Sequence, residues 1–161
     1  MTRLPILLAC MSLSAVPLAA QAPVTASFKG AGGEVTLKAA PKGVLVRIEA
    51  TGLTPGWHAA HFHEKADCSD AAFKLSGGHV HGAATSVHGL LNASATDTGD
   101  LPNLYAGADG QAKAEFFTTA LTMATLQDAD GSALVIHAKA DDFSTHPIGG
   151  AGDRVACALI H

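Results

Sequence analysis

Val44-Leu45-Val46-Arg47-Ile48-Glu49 decides the fold class. Val44, Val46 and Ile48 alternate with Leu45, Arg47 and Glu49, so one face of the run is apolar throughout. That period of two predicts a strand with one buried face. Val35 and Leu37 alternate in the same way within 34–39. Pro41-Lys42-Gly43 stands between the two runs and predicts a hairpin turn. Further short strands are predicted at 24–29, 57–63, 112–118, 133–138 and 154–160, with Asp109-Gly110 and Asp130-Gly131 as turns. Alanine makes up about a fifth of the 161 residues, a composition that favours helix. Yet no long stretch carries helical periodicity. The chain is therefore read as all-β, a sandwich or Greek-key barrel with Gly-rich turns.

Two stretches do not read as strands. Residues 64–104 show little alternation and contain His79, His81 and His88; residues 139–153 are rich in Gly and Asp. Long irregular segments inside a compact domain are usually functional. Both are predicted to be functional loops.

Composition excludes several classes of function. Ten Lys and Arg against fourteen Asp and Glu give a formal charge of −4. A nucleic-acid binder would show a basic patch or stripe instead. No apolar run reaches the roughly 18–20 residues that cross a bilayer, so no membrane span is predicted. Charged residues at 15% and hydrophobic residues at 48% are not the composition of a disordered chain. Residues 1–22 read as a secretory signal: Arg3, an apolar stretch from Leu4 to about Leu18, then the small-x-small site Ala20-Gln21-Ala22. The domain is then 23–161. It has lost Arg3, the one charged residue of the signal, and its charge is −5. It keeps two cysteines, Cys68 and Cys157. In an oxidising compartment a single disulfide is the default for such a pair, with metal ligation as the alternative. A bridge closing about 90 residues stabilises by roughly 4–5 kcal/mol in the chain-entropy account.

Nine histidines against one Trp and one Tyr point to the chemistry. His61-Phe62-His63 is an H-x-H pair, and on a strand residues i and i+2 share a face. His137 ends the apolar run Ala133-Leu134-Val135-Ile136. His79 follows Ser76-Gly77-Gly78 in the first long loop. Imidazoles gathered on a rigid β scaffold suit copper or zinc.

In their sequence context these residues become recognisable. Gly52-Leu53-Thr54-Pro55-Gly56, His58, His61, His63-Glu64-Lys65 and Asp67-Cys68 form one block. Gly77-Gly78-His79 and Gly99-Asp100-Leu101-Pro102-Asn103-Leu104 follow. Leu134-Val135-Ile136-His137-Ala138 with Asp141-Asp142, and Ala151-Gly152 with Arg154-Val155-Ala156-Cys157, complete the set. The chain resembles the bacterial periplasmic copper–zinc superoxide dismutases, and the blocks are collinear over the whole of 23–161. The resemblance implies an eight-stranded Greek-key β-barrel, an immunoglobulin-like sandwich with two long functional loops over a metal site on its outer wall. It implies His61, His63, His79 and His137 as copper ligands, with His79 also bridging to zinc and handling a proton in catalysis. Cys68 and Cys157 match the family disulfide. Arg154 matches the arginine that attracts the anionic substrate. Asp141 matches the carboxylate linking a copper histidine to a zinc histidine, and His58 matches a structural histidine beneath the site.

The zinc half departs from the family pattern, which uses the bridging His, two further His and an Asp. Asp100 fits the Asp. The His expected three residues before it is Asp97. The His expected eight residues after His79 is Val87, with His88 one residue later. A one-residue insertion gives the set His79, His88, Asp97 and Asp100. Two carboxylates so close repel one another in the absence of metal. His81 is an unplaced imidazole, open to replacing a missing ligand or to standing as a solvated loop residue; His146 and His161 are read as surface residues.

The implied activity is dismutation of superoxide to dioxygen and hydrogen peroxide by a copper ion cycling between two oxidation states, with zinc as the second metal. This would protect the cell envelope, with superoxide as the partner molecule and a periplasmic monomer or homodimer as the form. A copper-only dismutase with a lost zinc site, and a periplasmic copper-binding or buffering protein, use the same fold.

Overall fold

Pro41 and Lys42 form the turn between β2 (Gly32–Ala40) and β3 (Gly43–Thr51), whose register pairs Ala40 with Gly43 and Val35 with Ile48. Val35, Leu37, Val44, Val46 and Ile48 are all fully buried, as the alternation requires. The computed structural model from which this is read describes residues 21–82 and 84–161. The signal-like segment therefore lies outside the described residues apart from Gln21 and Ala22.

Two antiparallel sheets enclose the core. With β1 (Val24–Ser27), β4 (Gly56–His58), β6 (Leu104–Ala106) and β7 (Ala112–Thr118), the larger sheet runs β1-β2-β3-β7-β6-β4. The smaller contains β5 (Ala60–His63), β8 (Ser132–His137) and β9 (Arg154–Ile160) in the order β5-β8-β9. The β3–β7 pairing skips the three strands between them in sequence, the non-sequential step of a Greek key.

Among the described residues nine strand segments replace the expected eight, because the predicted strand 57–63 bends at Ala59. Its first half pairs with β6 and its second with β8. Ala59 is held at the bend by its N–H to Lys139 O at 2.8 Å and by its carbonyl, which accepts from His137 N at 2.9 Å. Taken as one bent strand, β4 and β5 restore the count. The other margins of the sheets meet where Lys29 and Cys157 exchange two backbone hydrogen bonds of 2.9 and 3.0 Å. β6 was not predicted: three residues are too few to show a period. One four-residue helix, α1 (Met123–Leu126), is capped by Thr122, whose side chain accepts from Thr125 N.

Inward residues of both sheets form one core, including Leu37, Val46, Phe62, Leu104, Leu134 and Ile160. A smaller cluster on the outer side of β8 joins Ala133 and Val135 to Phe73 and the disulfide Cys68–Cys157. The bridge ties the first long loop to β9. Among the described residues no helix is long and apolar enough to cross a membrane.

Candidate metal centre

β5 is buried on both faces. Ala60 and Phe62 point into the core, so His61 and His63 point outward together. His137 ends β8 on the same outer face as Ala133 and Val135, at a register shift between Ile136 and His137. Outward residues of a sheet normally meet water. Here the long loops cover them, and His61, His63 and His137 are at most 1% exposed.

The first loop reaches this place by backbone pairing. Val80 N–H donates to Phe62 O, Phe62 N–H to Gly99 O and Glu64 N–H to Gly78 O, at 2.8–3.0 Å. The free edge of β5 is thereby completed by two passes of the loop. His79 lands opposite His63, and Asp100 opposite His61. Gly99 permits the approach: a Cβ there would sit 2.3 Å from Phe62 O.

Every imidazole is aimed by the partner of its other nitrogen. His61 Nε2–H donates to Asp141 Oδ2 at 2.9 Å, His63 Nδ1–H to Gly77 O at 3.0 Å, and His137 Nδ1–H to Gly152 O at 3.2 Å. His79 Nδ1 faces Asp100 Oδ1 at 2.9 Å and Asp97 Oδ2 at 3.2 Å. The opposite nitrogens, His61 Nδ1, His63 Nε2, His79 Nε2 and His137 Nε2, are buried without a hydrogen-bond partner among the described residues. Ligand atoms of these four residues lie within 4.8 Å of one another. Buried polar atoms are rarely left unpaired. Four converging on one point describe an ion nest.

A second group adjoins the first and shares His79. His79, His88, Asp97 and Asp100 bring their ligand atoms within the same 4.8 Å span. His88 is thus brought by the fold to His79, Asp97 and Asp100. Its Nδ1 lies 2.9 Å from Asp100 Oδ2 without forming a hydrogen bond. Its Nε2–H donates to Asp141 Oδ1 at 3.0 Å, so Asp141 links His61 of one group to His88 of the other. Gly149 leaves room for this carboxylate, since a Cβ there would overlap Asp141 Oδ1. Asn103 holds Asp141 by both its backbone N–H and its carbonyl, each at 2.9 Å.

Electrostatics divide the two groups. Burial pushes His61, His63 and His137 below the ordinary imidazole value, His137 to about 3. These rings are neutral at pH 7, as metal ligands must be. Burial opposes charge on His79 and His88 as well, but the carboxylates outweigh it. Asp100 and Asp97 raise His79, while Asp100 and Asp141 raise His88 to about 10. Burial likewise works against the charged forms of Asp97, Asp100 and Asp141, yet their histidine partners keep all three below the usual carboxylate range. The expected repulsion between Asp97 and Asp100 is thus relieved, in the metal-free chain, by imidazolium charge placed between them.

Linkage gives an expected result. Histidines with lowered values contribute stability above about pH 6.5 that is lost as pH falls through their folded values. The raised His79 and His88 contribute stability below about pH 6.5 that is lost as pH rises toward 10. The metal-free protein should therefore show its highest urea midpoint near pH 6.5, with lower midpoints at pH 4 and pH 9.5. A midpoint still rising at pH 9.5 would contradict the assignment of charge.

Arg154 opens β9 and is half-buried. Its guanidinium donates to Phe73 O at 2.7 Å, Ser76 Oγ at 3.0 Å and Gly77 O at 2.8 Å. Its charge helps, after burial, to depress His63 and His137, which places it electrostatically beside the first group. It also lines a cleft of about 700 Å³ with Lys74, Ile148 and Gly152. His58 is buried, with Nδ1 2.6 Å from His137 O and Nε2 2.7 Å from Thr54 O, and belongs to neither group. His81 is partly exposed and turns Nδ1 to His79 O, outside both groups; His146 and His161 are exposed. The motif blocks contain Gly77, Asn103 and Gly152 without assigning their orienting roles, and Ser86 lies outside them. Backbone acceptors carry no residue signature, and Ser86 and Asn103 are ordinary loop residues.

These features define a class of protein: an antiparallel β-sandwich with two adjoining metal sites beneath long loops, sharing one histidine. The family described as copper/zinc superoxide dismutase (SODC) matches residues 31–160, and the chain belongs to that family. It is 58% identical over 134 residues to a copper/zinc superoxide dismutase of Caulobacter vibrioides, covering 80% of this chain and 77% of the relative. Among solved structures it resembles a superoxide dismutase-like protein from Bacillus subtilis (TM-score 0.76, 30% identity, 87% of this chain and all of that one). It also resembles the copper/zinc superoxide dismutase of Brucella abortus (TM-score 0.69, 27% identity, 87% of this chain and all of that one). Membership implies copper and zinc, and the donors fit both. Four imidazole nitrogens suit copper. Two imidazoles with two carboxylates suit zinc.

Proposed function

We propose that the chain converts two superoxide ions and two protons to dioxygen and hydrogen peroxide. Copper is assigned to His61, His63, His79 and His137, and zinc to His79, His88, Asp97 and Asp100. The observation that carries the reading is the set of four buried, unpartnered imidazole nitrogens converging from β5, β8 and the first loop. Copper in that nest supplies one-electron oxidation and reduction of superoxide.

The chain's own residues do the rest. Arg154, fixed by three acceptors, presents a cation to the cleft and draws in a small anion against the protein's net negative charge. Local focusing of this kind raises association rates by about 10–1,000-fold and weakens with salt. His79 turns Nε2 to the copper-side group and Nδ1 to the zinc-side group. When Nε2 is not serving as a donor to copper, His79 could hold a proton there and would supply it to peroxide as that product forms. Asp141 keeps His61 and His88 in orientation through one carboxylate. The buried rings keep bulk water from competing for the donor nitrogens.

The periplasm is the compartment we assign, with protection of the cell envelope as the role. The signal-like residues 1–22 and a disulfide that needs an oxidising environment support it. Superoxide decay after pulse radiolysis tests the activity, with one copper per chain, before and after zinc addition. Decay should be fast with copper and should fall steeply as salt is added. Arg154→Ala should slow it about 10-fold or more and flatten the salt dependence. Bound copper with no decay above buffer would overturn the enzyme reading.

A further inference from the structure

Asp97 stands where the family pattern has a third zinc histidine, and its two oxygens have different surroundings. Oδ2 faces the ligand nitrogens, 3.2 Å from His79 Nδ1 and 3.7 Å from His88 Nδ1. Oδ1 is turned aside and accepts the Ser86 hydroxyl at 2.5 Å. The side chain of Asp97 is fully buried. Asp100 differs: Oδ1 lies 2.9 Å from His79 Nδ1 and Oδ2 lies 2.9 Å from His88 Nδ1, with Oδ2 also accepting the Gly89 N–H at 3.0 Å.

The Ser86–Asp97 contact is built into the loop. Thr96 N–H and Asp97 N–H both donate to Val87 O, at 2.9 and 3.1 Å. Val87 N–H donates to Thr96 Oγ1 at 2.9 Å, and the Thr96 hydroxyl donates to Thr85 O at 2.6 Å. Residues 85–87 and 96–97 are thus laced together on either side of the hydroxyl–carboxylate pair.

A carboxylate with both oxygens free can chelate, adding a donor and raising the coordination number, as larger oxygen-seeking cations prefer. A carboxylate with one oxygen engaged by a hydroxyl offers a single donor. With Asp97 so held, it adds one donor, Oδ2, to His79 Nδ1, His88 Nδ1 and the Asp100 carboxylate. A low donor count from two imidazoles and two carboxylates is what zinc favours.

We propose that Ser86 sets the metal preference of the second site: by engaging Asp97 Oδ1 it favours four-coordinate zinc over manganese(II). The proposal rests on the assignment of zinc to His79, His88, Asp97 and Asp100. Ser86 is a positioning residue, acting through Asp97 without joining the ligand set.

The test uses the copper-loaded full chain. Affinities for zinc and manganese(II) are measured by competition with a chromophoric chelator, and cobalt(II) is used as a visible reporter of coordination number. Ser86→Ala should lose about 10-fold or more in zinc affinity, the scale for removing a partner that orients a ligand. It should keep or gain manganese affinity, so that the zinc-to-manganese ratio falls at least about 10-fold, and its cobalt absorption should weaken. Ser86→Thr retains the hydroxyl and should restore the ratio and the spectrum. An unchanged ratio and spectrum in Ser86→Ala would overturn the proposal. So would equal losses in Ser86→Ala and Ser86→Thr, because packing and not the hydroxyl would then be responsible. A wild-type chain that takes up neither zinc nor cobalt would instead overturn the underlying site assignment, and the proposal with it.

Discussion

His137→Ala should lose superoxide turnover by more than about 100-fold while keeping the fold. The effect exceeds the 10–100-fold typical of removing a residue that merely orients a ligand. The ring supplies Nε2, one of the four unpartnered nitrogens, and its Nδ1–H is spent on Gly152 O. His58 cannot replace it, since that ring is engaged by Thr54 O and by the backbone carbonyl of residue 137 itself. The backbone of β8 pairs with β5 and β9 whichever side chain stands at 137. The variant should therefore keep its far-ultraviolet spectrum and unfold cooperatively when metal-free, yet bind copper far more weakly. Chelator competition and pulse radiolysis on the same preparation separate these effects. Full turnover in a well-folded His137→Ala protein would remove the copper assignment altogether.

Replacing both Cys68 and Cys157 by serine should lower stability by about 4–5 kcal/mol, the chain-entropy expectation for a bridge spanning 89 residues. For a domain of this size that is roughly 10–15 °C in melting temperature. A second consequence follows from where the bridge lies. It anchors the first loop to β9 close to Phe73, and Phe73 O and Gly77 O are acceptors for Arg154. Freed at Cys68, that loop should hold the guanidinium less firmly. The double serine variant should then show a weaker salt dependence of superoxide decay as well as a lower melting temperature. A melting temperature within about 3 °C of the wild type would mean that core packing, not the bridge, sets stability here.

Strands with clear alternation are legible in the residues alone. Val44, Val46 and Ile48 read as one buried face, and they are buried. The bend at Ala59 is not legible, because 57–63 is apolar and His-rich on both sides of it. A strand that changes sheets leaves no break in its own pattern. β6 escapes because three residues define no period. At the site, His61 and His63 can be paired from spacing alone, since one strand carries both. His79, His88, Asp97 and Asp100 can be gathered only through the family resemblance, because loop residues have no periodicity to place them.

Residue types, strand faces, the cysteine pair and the departure at Asp97 are properties of the sequence itself. Which nitrogen of each imidazole is left without a partner, and which rings are charged, is decided by tertiary structure alone. Both depend on burial and on hydrogen-bond partners far along the chain: Asp141 lies 80 residues from His61 and 53 from His88. A histidine in sequence is equally a ligand, an ion-pair partner or a structural bond. Here the loops folded over β5 bury His61 and His88 alike, yet burial keeps the metal-free His61 neutral while the carboxylates of Asp100 and Asp141 outweigh burial at His88.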